Sequence, residues 1–442
     1  MAEIAPFRGI LYNPDKITTI SDVVTPPYDV ISDAQRDAFY ARHPHNVIRL
    51  DRGMPQATDT ARENTHTRAA AYFQEWIKDG ILKQDKDPAV YLAAVTFPME
   101  DTPVTRFGLI ARVRLEPFDK GIVLPHETTF SKVKTHRLEL MKACHANFSQ
   151  IFSIFSDSGN ILGLLTQAAQ DNAPVFEFND DAGHTHRLWR IIDPVIHQKT
   201  AAAFQGQKLF IADGHHRYET ALNYRKWLIE NNGPIPDDHP ANSIMMYLCA
   251  VQDPGLVILP THRLLTTTAQ VSLESFLENA DAWFDITTVA FDPAKPDATK
   301  QALNQKLAAD PGQHKFGVFF KNSDQFHVLC LKPGIMETVF SDSIPAPLRG
   351  LDVIVLTRLI FAKLLHFDDH MLDDHDLIHF TSDDTDAIRA IAKGSHEMAV
   401  ILNPTTNEQV TRVAEKGLIM PRKSTYYFPK AISGLVMRSL KP

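Results

Sequence analysis

Residues 209–222 read LFIADGHHRYETAL. The apolar run Leu209-Phe210-Ile211-Ala212 reads as the end of a buried strand, and Asp213-Gly214 is a strong turn signal. From His215 the pattern turns helical, with Tyr218, Ala221, Leu222 and Trp227–Ile229 recurring near i, i+3, i+4 spacing. A strand thus delivers a glycine turn, and the turn opens a helix that carries Asp213, His215, His216 and Arg217 at its start. The free N–H groups and positive end of such a helix attract an anion. Gly214 permits close backbone approach, and Arg217 offers a planar fork for phosphate or carboxylate. Two other readings of the cluster stand beside this one: a metal site, and a helix start capped by Asp213. Adjacent His215 and His216 point about 100° apart on a helix, which argues against shared chelation. His215 and Glu219 have the spacing of a pair across one helical turn.

A chain of 442 residues predicts two or three domains, and 44% hydrophobic with 22% charged residues is ample for packed cores. The net charge of −8 argues against a general nucleic-acid or acidic-membrane binder. Cys144, Cys249 and Cys330 lie far apart without a CxxC, so neither a zinc knuckle nor a disulfide framework follows. The start, MAEIAPFRGILYN, has neither the charged nor the long apolar region of a signal peptide. No apolar run reaches the roughly 20 residues of a membrane span. A soluble, cytoplasmic protein is expected.

Pro26-Pro27 sets an extended loop that carries Tyr28 and Asp29, and Ser32 with Gln35 has capping-box spacing for a helix from Asp33. Residues 46–50, NVIRL, read as a short strand, and 58–79 as a helix ending at Gly80. Strands at 89–97 and 105–115, separated by a polar turn with Asp101 and Pro103, predict a hairpin. The loop with His126 and Glu127 leads into a basic helix over 131–143 that carries Lys134, His136 and Arg137. Residues 175–178 and 186–192 predict a second strand pair, and Asn231-Asn232-Gly233-Pro234 breaks the helix opened at His215. Helices and short strands alternate over 266–442. This mixture predicts an α+β (mixed α/β) fold, with an N-terminal segment 1–90 contributing to the site, a central α+β domain 91–265 and a C-terminal α+β domain 266–442.

The GxGxxG, GxxxxGK[ST] and HExxH signatures are all absent. Glu127, in a loop beside cations, has the setting of a general base or a magnesium ligand, against the plainer reading of a solvated surface. His262-Arg263, closing an apolar strand, and Asp29, in a stiff loop, are further site candidates. So are Lys423, Ser424 and Thr425 in an aromatic, basic C-terminal stretch. Asp373-Asp374-His375-Asp376 is read as an acidic surface loop rather than a metal site.

Six blocks occur in one order: TPPYDVIS (25–32), NVIRL (46–50), HETTFSKVKTHRL (126–138), IADGHHRYETAL (211–222), LPTHRLL (259–265) and MPRKSTYYFPKAISGLVM (420–437). Together they resemble the bacterial and archaeal domain-of-unknown-function family 1015 over nearly the whole chain. One departure is His136, where the family pattern is usually acidic. The DGHHR run is also similar to one in free-serine kinases of the ParB/sulfiredoxin-like fold, where that corner holds nucleotide phosphates. This second resemblance covers about a dozen residues and carries over only Asp213, Gly214, His215, His216 and Arg217.

The resemblances imply a ParB/sulfiredoxin-like nucleotide-binding element within a larger multi-layer chain. They imply a nucleotide-dependent phosphotransferase that interconverts free L-serine and O-phosphoserine with ATP or ADP and Mg2+. On that reading Glu127, Asp213 and His216 are catalytic. Gly214, His215, Arg217, His126, Lys134, Arg137, His262, Arg263, Asp29, Lys423, Ser424 and Thr425 bind substrate or phosphate. The partners are a small-molecule substrate and a nucleotide, and a homodimer is left open. A metal-dependent phosphatase or hydrolase, and a non-catalytic ParB-like nucleotide-binding protein, are the rival readings.

Overall fold

The computed structural model describes the chain except residues 100, 101, 130, 292–295, 311 and 375, and the side chains of 131, 132 and 296. Asp101 and His375 therefore lie outside the described residues. The chain divides into two compact units, Met1–Val257 with Tyr427–Pro442, and Ile258–Tyr426. Both mix helices and strands, so the fold is mixed α/β, as expected.

Among its described residues the first unit forms a nine-stranded sheet. Its strands are β1 (Ile4–Ala5), β2 (Val90–Met99), β3 (Thr102–Arg114), β4 (Val123–Leu124), β5 (Ile151–Phe155), β6 (Phe176–Asn179), β7 (Thr185–Ile191), β8 (Leu209–Asp213) and β9 (Ser243–Ala250). The order is β4-β8-β5-β9-β3-β2-β7-β6, with β1 against β3. The expected hairpins appear as β2–β3, with Met99 opposite Thr102, and as β6–β7, with Asn179 opposite Thr185. The boundary expected near 90 falls at the start of β2, inside this unit. Near-continuous burial of β5 and β9 explains their apolar sequences, as strands covered on both faces.

The helices of this unit are α1 (Asp33–Arg42), α2 (Ile48–Asp51), α3 (Thr65–Lys78), α4 (Ser131–Cys144), α5 (Ile161–Ala169), α6 (Pro194–Ala203) and α7 (His215–Asn232). Ser32 and Gln35 make the expected capping box on α1. Two expectations are corrected. NVIRL is not a strand: Asn46 Oδ1 accepts from Ile48 N at 2.9 Å and starts α2, which buries Ile48, Leu50 and Asp51. The helix expected from 58 begins only at Thr65, because Asn64 caps it by accepting from His66 N and Thr67 N.

α7 buries Tyr218, Ala221, Tyr224 and Leu228 along one face, and α4 packs against it. These side chains join Leu109, Ile151, Phe155 and Leu209 in one core. Each large apolar side chain buried there stabilises by about 1.5–3 kcal/mol. The C-terminal residues belong to this unit through Arg106, which is 1% exposed and donates to Phe428 O at 2.8 Å and Pro429 O at 2.7 Å. Arg438 adds donations to Ser243 O and Pro240 O, both at 2.8 Å.

The second unit carries a six-stranded sheet among its described residues. Its strands are β10 (His262–Leu265), β11 (Phe284–Ala290), β12 (Lys315–Phe320), β13 (Gln325–Leu331), β14 (Ile378–Thr381) and β15 (Met398–Leu402), in the order β11-β13-β12-β15-β10-β14. Leu303 and Leu307 of one helix and Ile388 and Ile391 of another pack on Phe319, Phe326 and Ile401 from this sheet.

Candidate functional site

The strand–turn–helix corner forms as its sequence predicts, from β8 through Gly214 into α7. β8 pairs with β5 through Ile211↔Ser153 and then Asp213↔Phe152, so Ala212 is an extra residue. This irregularity twists the strand end and sets the direction of Asp213. Gly214 has φ 97°, a left-handed conformation, and a Cβ there would meet the Arg217 guanidinium at 2.9–3.0 Å.

Asp213 does not cap α7. Gly214 occupies the N-cap position, with no side-chain capping hydrogen bond. The Asp213 carboxylate instead receives Arg217 Nη2 on one oxygen and Lys430 Nζ on the other, both at 2.5 Å. Its side chain is only 12% exposed. Burial works to raise its pKa, but Lys430 and Arg217 outweigh it and hold the carboxyl far below its ordinary range. Arg217 also donates to Gln150 O at 2.5 Å and is buried. Two cations on one carboxylate leave net positive charge beside the uncapped start of α7.

The histidines divide by burial. His126 N donates to His215 Nε2 at 3.3 Å, and the two rings meet edge to face at 4.7 Å. Burial lowers His126 to about 4, and burial with the neighbouring His126 pushes His215 well below its usual value. Burial thus favours the neutral form of both rings. His216 is only half-buried, and burial lowers its pKa against the opposing influence of Asp29 and Glu219. The pairing expected between His215 and Glu219 does not form. Glu219 accepts from Thr129 Oγ1 at 2.8 Å and from Lys134 Nζ at 2.6 Å.

A second buried pair lies alongside. Arg137 donates to Asp51 O at 2.7 Å and to Asp51 Oδ1, and its guanidinium sits 4.1 Å from the Tyr28 ring centre. Ser433 Oγ donates to the other Asp51 oxygen at 3.2 Å. Burial raises the Tyr28 hydroxyl to about 12, against the opposing Arg137. Asp29, next in the chain, is exposed. Arg137 and Arg217 both line a cavity of about 20 Å³ with Asn147 and Thr220. Among the described residues Asn147 Oδ1 and Thr220 Oγ1 have no hydrogen-bond partner, and the space suits one bridging water.

The first unit thus gathers His126, Asp213, Gly214, His215, His216, Arg217 and Lys134, with Arg137 and Asp29 beside them and Glu127 half-buried on the adjoining loop. His262, Arg263, Lys423, Ser424 and Thr425 belong to the second unit, where four of them take part in hydrogen bonds. His262 Nδ1 accepts from Leu402 N at 3.3 Å, and burial lowers its pKa to about 4. Arg263 donates to Thr261 O and, at 3.1 Å, to Lys423 O, while Thr405 Oγ1 donates to Ser424 O at 2.7 Å. One participant in the first unit, Asp51, escaped the sequence reading, and another, Lys430, was read only as part of the aromatic, basic C-terminal stretch. Asp51 directly follows NVIRL, and Lys430 lies within the 420–437 block in which Lys423–Thr425 drew the attention.

A family model for "Protein of unknown function (DUF1015)" matches residues 4–354. The chain belongs to this family. No curated protein matches it. Among solved structures it is similar to a conserved hypothetical protein from Pyrococcus furiosus, at 12% identity over 73% of this chain and 92% of that one, with a TM-score of 0.32. It is also similar to a free serine kinase in complex with AMP, at 12% identity over 76% and 96%, with a TM-score of 0.32. A mutant of free serine kinase in complex with ADP gives 12% identity over 76% and 97%, with a TM-score of 0.33. At scores this low the structural likenesses carry no argument about function.

Proposed function

We propose that this protein is a nucleotide-dependent phosphotransferase that interconverts L-serine and O-phosphoserine. One observation carries the reading: the uncapped start of α7 sits beside an Asp213 carboxylate held by two cations, Arg217 and Lys430. The first N–H groups of the helix, which no side chain caps, the helix dipole and the positive charge of Arg217 and Lys430 favour a phosphate there. The serine substrate and the nucleotide come from the DGHHR resemblance, and the local geometry supports the phosphate site alone.

The residues divide the work as follows. The backbone of His215 and His216 receives the phosphate. Arg217 and Lys430, anchored by Asp213, supply fixed positive charge at little reorganisation cost. His216, whose neutral form its burial favours, accepts the proton of the serine hydroxyl. A magnesium ion bound with the nucleotide would supply neutralisation of the phosphate charge. Asp213 does not fit as its ligand, since both oxygens already hold cations. Exposed Asp29 fits better. The test is to incubate the purified chain with serine, magnesium and ATP, or with phosphoserine, magnesium and ADP, and to assay phosphoserine. Absence of turnover in both directions with any nucleotide overturns the reading.

A further inference from the structure

The β6–β7 hairpin carries a second cluster, which the α7 corner does not use. Its turn runs through Asp180, Asp181, Ala182 and Gly183, with Gly183 at φ 79°. Asp180 Oδ1 accepts from Ala182 N and His184 N, both at 2.9 Å, so the carboxylate is fixed by the turn. Its other oxygen lies 3.1 Å from His184 Nδ1 and 2.9 Å from His186 Nε2. His184 and His186 are two apart in an extended chain, which directs both rings to one face.

Neighbouring aromatics hold those rings. Phe178, opposite His186 in the hairpin, stacks on it at 5.1 Å and 18°. Phe97 and Phe428 meet the His184 ring edge-on at 6.0 and 5.4 Å. Both histidines are buried, at 7% and 5% exposure, while the Asp180 side chain retains 22%. The three ligand atoms all lie within 4.8 Å of one another. Tetrahedral zinc with bonds of about 2.0–2.1 Å sets its ligand atoms roughly 3.3 Å apart. The two Asp180–histidine separations, 3.1 and 2.9 Å, already lie close to that spacing. Beside His186 a cavity of about 20 Å³, shared with Arg106, Gln150 and Lys430, has room for one water.

We propose that Asp180, His184 and His186 bind a single divalent transition-metal ion of the zinc class, through one carboxylate oxygen and two imidazoles, with a remaining position for water. Two neutral imidazoles and one carboxylate are the donor set of an open zinc site. The competing account is a hydrogen-bonded His–Asp–His cluster that only fastens the hairpin. This inference is independent of the phosphotransferase reading.

The full chain, stripped with chelator, is loaded with Zn2+ or Co2+, desalted and measured by elemental analysis. One ion per chain is expected, with visible cobalt bands. Both are expected to be lost in Asp180→Asn and His186→Ala and kept in His379→Ala, which alters the exposed His379–His396 pair. Failure of the wild-type chain to retain an ion, or equal retention by the folded variants, overturns the site. If the variants do not fold, X-ray absorption on zinc-loaded wild-type protein decides. Two imidazoles with oxygen and no sulfur support the proposal, and a sulfur ligand or fewer than two imidazoles contradicts it.

Discussion

Lys430 donates to Asp213 across 217 residues of sequence, at 2.5 Å, and shares that carboxylate with Arg217. The C-terminal segment is therefore part of the α7 corner. Lys430→Ala leaves Asp213 with one cation. Breaking a buried pair outright costs about 3–5 kcal/mol, and because Arg217 remains, a loss of ~1–3 kcal/mol is expected. Urea denaturation measures it, and an unchanged midpoint would show the contact to be energetically idle.

Replacing Arg137 by lysine keeps the charge but loses the fork that reaches both Asp51 O and its carboxylate. It also loses the planar cation over Tyr28. A destabilisation of ~1–3 kcal/mol is expected in the same denaturation experiment. A lysine variant as stable as the parent would mean that charge alone holds Asp51.

Acid should weaken the fold through buried neutral histidine. His126 titrates at about 4 when folded, against about 6.5 when unfolded. Between these values the unfolded chain binds a proton that the folded chain does not. The contribution is complete above pH 6.5 and is lost as pH falls towards 4. For His126 it amounts to ~2–3 kcal/mol. Denaturation at pH 7, 6, 5 and 4 should show a decline that flattens in folded His126→Asn. An identical decline in that variant would remove His126 as a cause.

His216 sets a kinetic expectation. Burial lowers its pKa, so the acid limb of serine phosphorylation should lie below pH 6.5 and vanish with activity in His216→Asn. A limb centred above pH 6.5 that survives the substitution would assign the proton to another group.

Local features were legible in the sequence. The β8–Gly214–α7 corner and the β2–β3 hairpin follow from apolar runs, turn residues and helical spacing. Partnerships were not. Nothing in the chain order links Asp51 to Arg137 or Lys430 to Asp213, because those contacts exist only after the sheet and the C-terminal segment assemble. Asp213 read equally well as a cap or a ligand, since a carboxylate before a helix suits either until its cations are located. NVIRL has the apolar and β-branched residues of a strand, yet a local turn in which Asn46 accepts from Ile48 N, together with burial, turns it into a helix. Asp180, His184 and His186 escaped notice because their spacing converges only when the hairpin closes.

The claim that a nucleotide phosphate docks at the start of α7 is tested most directly by calorimetric titration of the full chain with ATP and ADP in magnesium, beside Gly214→Ala. An added Cβ would strain the left-handed position and press on Arg217. The account predicts saturable binding of at least one nucleotide at one site per chain, weakened about tenfold or more in the folded variant, a difference of roughly 1.4 kcal/mol. No binding of either nucleotide, or equal binding by the folded Gly214→Ala protein, would contradict it.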